Sequence, residues 1–292
     1  MPVPALRGGG WSRGPGVRTA SLLHSLVGLG LSLMLQPVAS QTWRLDAEVS
    51  RARYLSIESP PGASGFELNR DEGWLTRARL GTEMDAGHGG WLLHGALGQG
   101  AVDYTGFTQW GVPLETSSRI LEQSLTVGGW LATPLPAGLS GRIGLEVEQQ
   151  CIRRDIQPTA RSSRLTETLC SQVLGLGGRM GWNLLEGWSA EVSMRWARPW
   201  RQSLQADAHG VLDEFKLSPR HMRQQRSEIS LLRHFEAGSV LVMTLRRHDR
   251  NYGASAPTLV TRQGLPSGFA SYPGSRLRQS EIALAWRLDF GR

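Results

Sequence analysis

Lysine is almost missing from this chain. Lys216 stands alone, and nearly all the basic charge is arginine. The arginines alternate with acidic residues and do not gather in a stripe, which speaks against a nucleic-acid partner; the arginine bias fits a GC-rich genome. Cysteine is scarce too: Cys151 and Cys170 are the only two, enough for one bridge. No apolar run reaches the roughly 20 residues a helix needs to cross a bilayer. There is no H-E-x-x-H, no G-x-S-x-G and no P-loop, and the histidines are scattered. The sequence therefore supports no catalytic residue, no cofactor and no metal.

The N-terminus does carry a pattern. Residues 1–20 hold Arg7, Arg13 and Arg18 and no acid. An apolar run of about fourteen residues follows, Leu22 to Leu35, then Pro37, Val38 and Ser40. A basic stretch, a short apolar run and small residues, in that order, make a secretory signal peptide, with cleavage expected near Ser40. Residues 1–40 are read as that leader and 41–292 as the mature domain. Losing three arginines takes the formal charge from +7 to +4.

The mature part alternates. In "SEIALAWRLDF", Ile282, Leu284, Trp286, Leu288 and Phe290 share one face of a strand, and Glu281, Arg287 and Asp289 the other. Similar runs predict ten strands, at about 43–57, 73–85, 91–103, 118–133, 139–153, 164–182, 188–201, 222–235, 239–250 and 277–290. The intervals alternate between short (86–90, 134–138, 183–187, 236–238) and long (58–72, 104–117, 154–163, 202–221, 251–276). The expected fold is all-β: a transmembrane antiparallel up-and-down barrel with short periplasmic turns and long extracellular loops.

Register supports a two-faced strand. A hairpin centred on Leu185 sets Trp182 against Trp188, Leu176 against Met194 and Leu174 against Trp196. A hairpin around Ala160 and Arg161 sets Leu139 against Trp182, Leu145 against Leu176 and Val147 against Leu174. Both give the 164–182 strand the same apolar face, and a one-residue slip would swap both faces. The opposite face carries Arg142, Glu146, Glu148, Glu167, Arg179, Glu191 and Arg195, which should fill a narrow lumen as ion pairs. His94, His234 and His248 are expected there as well. Trp43, Trp91, Trp182 and Trp188 fall near one set of strand ends and Trp74, Trp196 and Trp200 near the other, as an aromatic girdle requires. Trp130 has the wrong parity, which predicts a shifted or bulged strand.

The final strand, with Leu284, Trp286, Leu288 and Phe290 on alternate positions, resembles the β-signal of bacterial outer-membrane barrels. Gly291 and Arg292 depart from it, since the aromatic is usually last. The resemblance implies export by the general secretory route, periplasmic chaperones, the barrel-assembly machinery, and residence in the outer membrane of a Gram-negative cell. Two triplets, Glu83-Met84-Asp85 and Asp207-Ala208-His209, resemble the acidic pair and Asp-x-His of the ten-stranded omptin proteases. The expected topology sets them at opposite ends of the barrel.

Three further expectations concern sites. Cys151 and Cys170 should face each other across two strands and form a disulfide. Arg119, Arg153 and Arg198 should lie on the outer face near the upper interface and bind lipopolysaccharide phosphate, or simply reach water. Arg119 faces Arg153 if the "PLPAG" turn aligns Leu131 with Gly141 and Leu125 with Val147. The loop "DYTGFTQWGVPLETSS" offers Tyr104, Phe107 and Trp110 as stacking surfaces, or is a folded cap. The functional expectation is a structural, adhesive or narrow-pore barrel with a largely plugged lumen. The alternatives are a rim-active hydrolase, such as an omptin-like protease or a lipid-modifying enzyme, and a secreted soluble β-sandwich.

Overall fold

The computed structural model describes residues 41–60, 67–107, 112–136, 138–160 and 162–291. Residues 1–40, read above as a leader, and Trp110 lie outside them. Ten long strands close into a barrel: β1 (Thr42–Glu58), β2 (Asn69–Asp85), β3 (Gly89–Phe107), β4 (Pro113–Thr133), β5 (Leu139–Ile156), β6 (Leu165–Leu185), β7 (Trp188–Asp207), β9 (Arg220–His234), β10 (Ser239–Gly253) and β13 (Ser275–Phe290). Each pairs antiparallel with its sequence neighbour in the barrel, and β13 pairs with β1 to close it. Three short strands escaped the sequence reading: β8 (Phe215–Leu217), which adds to β7, and the hairpin β11 (Thr258–Arg262) with β12 (Leu265–Ala270). Connections at one end are tight and those at the other long. Both ends of the barrel sequence meet at the tight end, where Trp43 pairs with Phe290.

The β5–β6 register is as expected, with Leu139 opposite Trp182 and Val147 opposite Leu174. Two other hairpins move by two residues. In β6–β7, Trp182 faces Ala190 and Leu176 faces Trp196, because the turn tightens at Glu186–Gly187 beside a bulge between Asn183 and Leu185. In β4–β5, Leu131 faces Ile143 and Arg119 faces Asp155, not Arg153. Leu139 and Ser140 overhang the end of β4 there, with the Leu139 N–H bonded to the Pro136 carbonyl at 3.1 Å. A shift of two preserves which side chains face out, so the face assignments hold.

Trp130 is not a register fault. Strands β3, β4 and β5 pair without irregularity across it. Its side chain lies inside the barrel, with the Arg142 guanidinium 3.9 Å above the ring centroid. It fits because Gly90 faces it: a Cβ there would sit 2.6 Å from its ring. A further bulge lies in β7, where Pro199 has no N–H to give the ladder opposite Val173 and Gln172.

The strands keep their parity but exchange polarity partway along. In the half nearer the tight turns, the outer face is apolar: Leu45 and Val49 on β1, Leu80 on β2, Leu125, Val127 and Leu131 on β4, Ile143 and Leu145 on β5, Leu245 on β10 and Ile282 on β13 are all exposed. The same stretch carries its charges inward. Beyond it the faces swap. Arg51, Arg53, Arg119 and Arg153 now point outward. Ala52, Leu75, Val102, Ile120, Ile152, Val173 and Leu277 point inward and form one buried apolar cluster with Tyr54, Tyr252 and Tyr272. The lower half is a barrel for lipid, apolar outside and polar inside. The upper half is packed as a barrel for water, with its apolar side chains buried.

Candidate functional site: a sealed lumen and its outer rim

The lower lumen is a continuous ion-pair network. Arg246 is 3% exposed and reaches Glu48 at 3.0 Å, Glu228 at 2.8 Å and Glu281 at 2.7 Å. Arg77 joins Glu281 at 2.9 Å to Glu122 and bonds Gln279 at 2.7 Å. Arg195 bridges Glu146 at 2.9 Å and Glu148. Near the tight turns, Glu83 takes Arg44 at 2.9 Å and Arg142 and Arg179 at 3.4 Å each, while Arg287 holds Asp46 at 2.7 Å. Each charge withdrawn from water is offset by several partners, the condition under which buried pairs are tolerated. Asp46, Glu83 and His94 bring ligand atoms within 4.8 Å of one another. Their carboxylates are already bonded to arginines, and the surrounding guanidiniums disfavour a cation.

The remaining lumen space is small. Three cavities of about 50, 90 and 60 Å³ run through the ionic layer. Above it the apolar cluster closes the bore. Arg154, missed by the sequence reading, anchors the top through Asp71 at 2.7 Å, Glu58 and Glu167. The signal was present: Arg154, Glu58 and Asp71 continue the inward parity past the predicted strand ends.

At the long-loop end, Tyr104 lies inside β3's face and donates to Asn69 Oδ1 at 3.0 Å, whereas Phe107 is exposed on the outside. They do not form one stacking surface. Asp207 and His209 are at this rim, with His209 Nδ1 3.7 Å from Asp207 and Nε2 2.8 Å from the Thr166 hydroxyl. Glu83 and Asp85 lie at the opposite end of β2 from that rim, so the two triplets form no common site.

The β11–β12 hairpin is tethered by one carboxylate. Asp213 accepts from the Thr261 hydroxyl at 2.5 Å and from the backbone N–H groups of Gln263 and Gly264 at 3.0 and 2.9 Å. These bonds, Thr261 first, hold its carboxyl below the usual aspartate range. A depressed folded value means that the tether is fully present above the ordinary aspartate value and is lost as pH falls through the folded one. Hydrogen-exchange protection of the hairpin amides, taken relative to the free-peptide rate at each pH, should therefore hold from pH 7 down to about 4 and fall only below it. Asp213→Ala should remove the protection at every pH.

Cys151 and Cys170 are bonded, with Cα atoms 4.1 Å apart, across β5 and β6. The bridge closes a loop with a sequence separation of 19. Chain-entropy reasoning makes its contribution about 3 kcal/mol. Cys151→Ser with Cys170→Ser should lower the urea midpoint of refolded barrel accordingly, and an unchanged midpoint would refute that contribution. Arg119, Arg153 and Arg198 all point outward and are exposed. Ile282, Leu284, Trp286, Leu288 and Phe290 form the exposed outer edge of β13, with Trp286 stacked on Phe235 at 5.7 Å.

Ten closed antiparallel strands, tight turns at one end, long loops at the other, an apolar outer belt and a charged interior define a transmembrane β-barrel of the outer-membrane type. Among solved structures the chain is similar to the outer membrane protease OmpT from Escherichia coli, with a TM-score of 0.61 at 4% identity, over 87% of this chain and 98% of that one. The translocator domain of the autotransporter NalP from Neisseria meningitidis is matched at a TM-score of 0.45 and 10% identity, over 93% and 96%. At these identities the likeness is one of fold. No family model and no curated protein matches the chain.

Proposed function

We propose that the protein is a sealed structural or adhesive barrel of the outer membrane, exported through the secretory route behind its leader. The observation that carries this is the double closure of the lumen. Multiply paired arginines fill the membrane half, and the apolar cluster around Leu75, Ile120 and Val173 fills the outer half. A diffusion channel needs a continuous wet path, and the largest of the three cavities in the ionic layer is about 90 Å³. The upper half then serves as a rigid stalk that lifts the loops and the β11–β12 hairpin off the surface. Leu265 and Phe269 are 70% and 75% exposed on that hairpin, which suits contact with a partner. The remaining partners on this reading are outer-membrane lipid and lipopolysaccharide, with chaperones and the assembly machinery during biogenesis. Planar-bilayer recording tests the seal. Purified protein should give no unitary conductance steps, and Leu75→Ala with Ile120→Ala should introduce leak. Stable unitary steps from the native chain would overturn it.

A further inference from the structure

The outer face of β2–β5 carries a groove that the sealed lumen does not explain. It encloses about 420 Å³ between Ala78, Leu80, Gly95, Leu97, Gln123 and Leu125. It exists because Ala78 and Gly95 interrupt rows of leucine on the lipid-facing side. A Cβ at Gly95 would meet nothing within 4 Å, so the space is open and not occupied by a neighbouring side chain. The upper margin of the groove is polar. Gln123 and Gln149 face outward there beside the Cys151–Cys170 bridge, and the Gln149 amide finds only the Cys151 sulfur, at 3.7 Å. An amide at the edge of hydrocarbon is costly without a partner.

Directly above lie Arg119 and Arg153, diagonal neighbours on β4 and β5, since Arg153 faces Leu121 and Arg119 faces Asp155. Among the described residues, neither has a carboxylate within 4.0 Å. Asp155 is already committed to Arg164, at 2.6 Å through Nε, and to Thr166 at 3.3 Å. Arginines elsewhere on the outer face differ: Arg247, Arg276 and Arg278 surround Asp249 at 2.7, 3.7 and 3.2 Å. With the nearby Asp155 carboxylate taken up by Arg164, the two guanidiniums repel unless a further anion lies between them, and their forked donors match phosphate oxygens. At the level of the outer headgroups an outward arginine carries little cost.

Apolar groove, amides at its mouth and paired cations above follow the order of an acyl chain, its carbonyl linkage and a phosphate. We infer that this face binds one lipopolysaccharide molecule, with an acyl chain in the Gly95 groove, the linkage carbonyl on Gln123 or Gln149, and a phosphate between Arg119 and Arg153. The inference rests on the outer-membrane reading above and adds a position to it. Arg198, on β7 beyond β6, takes no part.

The test is lipid retention by the full-length barrel purified in mild detergent from lipopolysaccharide-containing membranes. Gly95→Leu, which places a side chain in the groove where a Cβ has open space, should lower retained lipopolysaccharide, and Arg119→Gln with Arg153→Gln should lower it by about tenfold, the scale of lost charge-assisted contacts. Arg278→Gln, on β13 away from the groove and paired with Asp249, should retain the wild-type amount. Enzymatically dephosphorylated lipopolysaccharide should bind the native chain no better than phosphorylated lipopolysaccharide binds the double variant. Wild-type retention in both altered proteins would overturn the inference, as would equal displacement of lipopolysaccharide by phosphatidylglycerol. Heat-modifiable migration of the same samples reports on the barrel separately, so a failed site and a failed barrel are told apart.

Discussion

Arg246→Ala should prevent the barrel from holding its native state. The side chain is 3% exposed and is shared among Glu48, Glu228 and Glu281, which lie on β1, β9 and β13. Removing it leaves each carboxylate with one remaining arginine, Glu281 with Arg77 at 2.9 Å, Glu228 with Arg226 at 3.0 Å and Glu48 with Arg79 at 3.8 Å, in a lumen with little room for water. Breaking a buried pair by deleting one partner typically costs about 3–5 kcal/mol. Domains hold about 5–15 kcal/mol in all. Since three partners are lost at once, the variant should show little heat-modifiable species and a urea midpoint far below the native one. Arg246→Lys should be only a partial rescue, because one ammonium cannot hold the planar contacts a guanidinium makes to several carboxylates. A native midpoint for Arg246→Ala would show that the network is ornamental to stability.

The second large effect is expected at the closing strand. Phe290→Ala with Trp286→Ala should abolish accumulation of folded barrel in cells. β13 pairs along its length with both β1 and β10, so it is the strand that turns an open sheet into a cylinder. An unclosed edge in lipid leaves a row of backbone donors and acceptors unpaired, each at a cost of several kcal/mol. The two aromatics are exposed on the outer face near the tight-turn end, so their loss removes no lumen packing. Trp286 loses only its stack with Phe235. If the strand acts as an assembly signal, the double variant should be degraded or periplasmic in cells yet refold in detergent from urea. Normal outer-membrane yield would count against that role.

Most of the barrel was legible because period-2 alternation carries both strand and face. Ile282 through Phe290 and Leu139 through Val147 identify the outer belt without any contact being known. Cys151 and Cys170 were placed opposite each other by the same parity, since the β5–β6 turn centres where the sequence suggests. Registers at β4–β5 and β6–β7 were not legible to better than two residues, because turn geometry shifts a pair without disturbing alternation. The upper half was harder to read for a different physical reason. Ala52, Tyr54, Leu75, Ile120 and Ile152 are apolar on the parity that carries charge lower down, so the pattern breaks at the change of solvent. Strand ends were therefore placed too early, and Arg154 with Glu58 and Asp71 fell beyond them, although Glu167 was read as inward. Trp130 illustrates the same limit: its inward parity was read as a shifted strand, whereas the strand is regular and the facing Gly90 makes room for an indole in a charged lumen. Strands β8, β11 and β12 are short, and the Asp213 tether, which orders the hairpin from a distant loop, has no local signature.

The exchange of polarity along each strand can be measured on β4. In a Cys151→Ser, Cys170→Ser background, single nitroxide labels placed at Leu131, Val127, Leu125, Ile120, Arg119 and Ser117 in liposome-reconstituted protein report access to oxygen and to a water-soluble nickel chelate. The labels at 131, 127 and 125 should be relaxed by oxygen, those at 119 and 117 by the chelate, and the label at 120 by neither. Oxygen-dominated relaxation continuing through 119 and 117, or chelate access at 120, would contradict a barrel that is lipid-facing below and packed closed above.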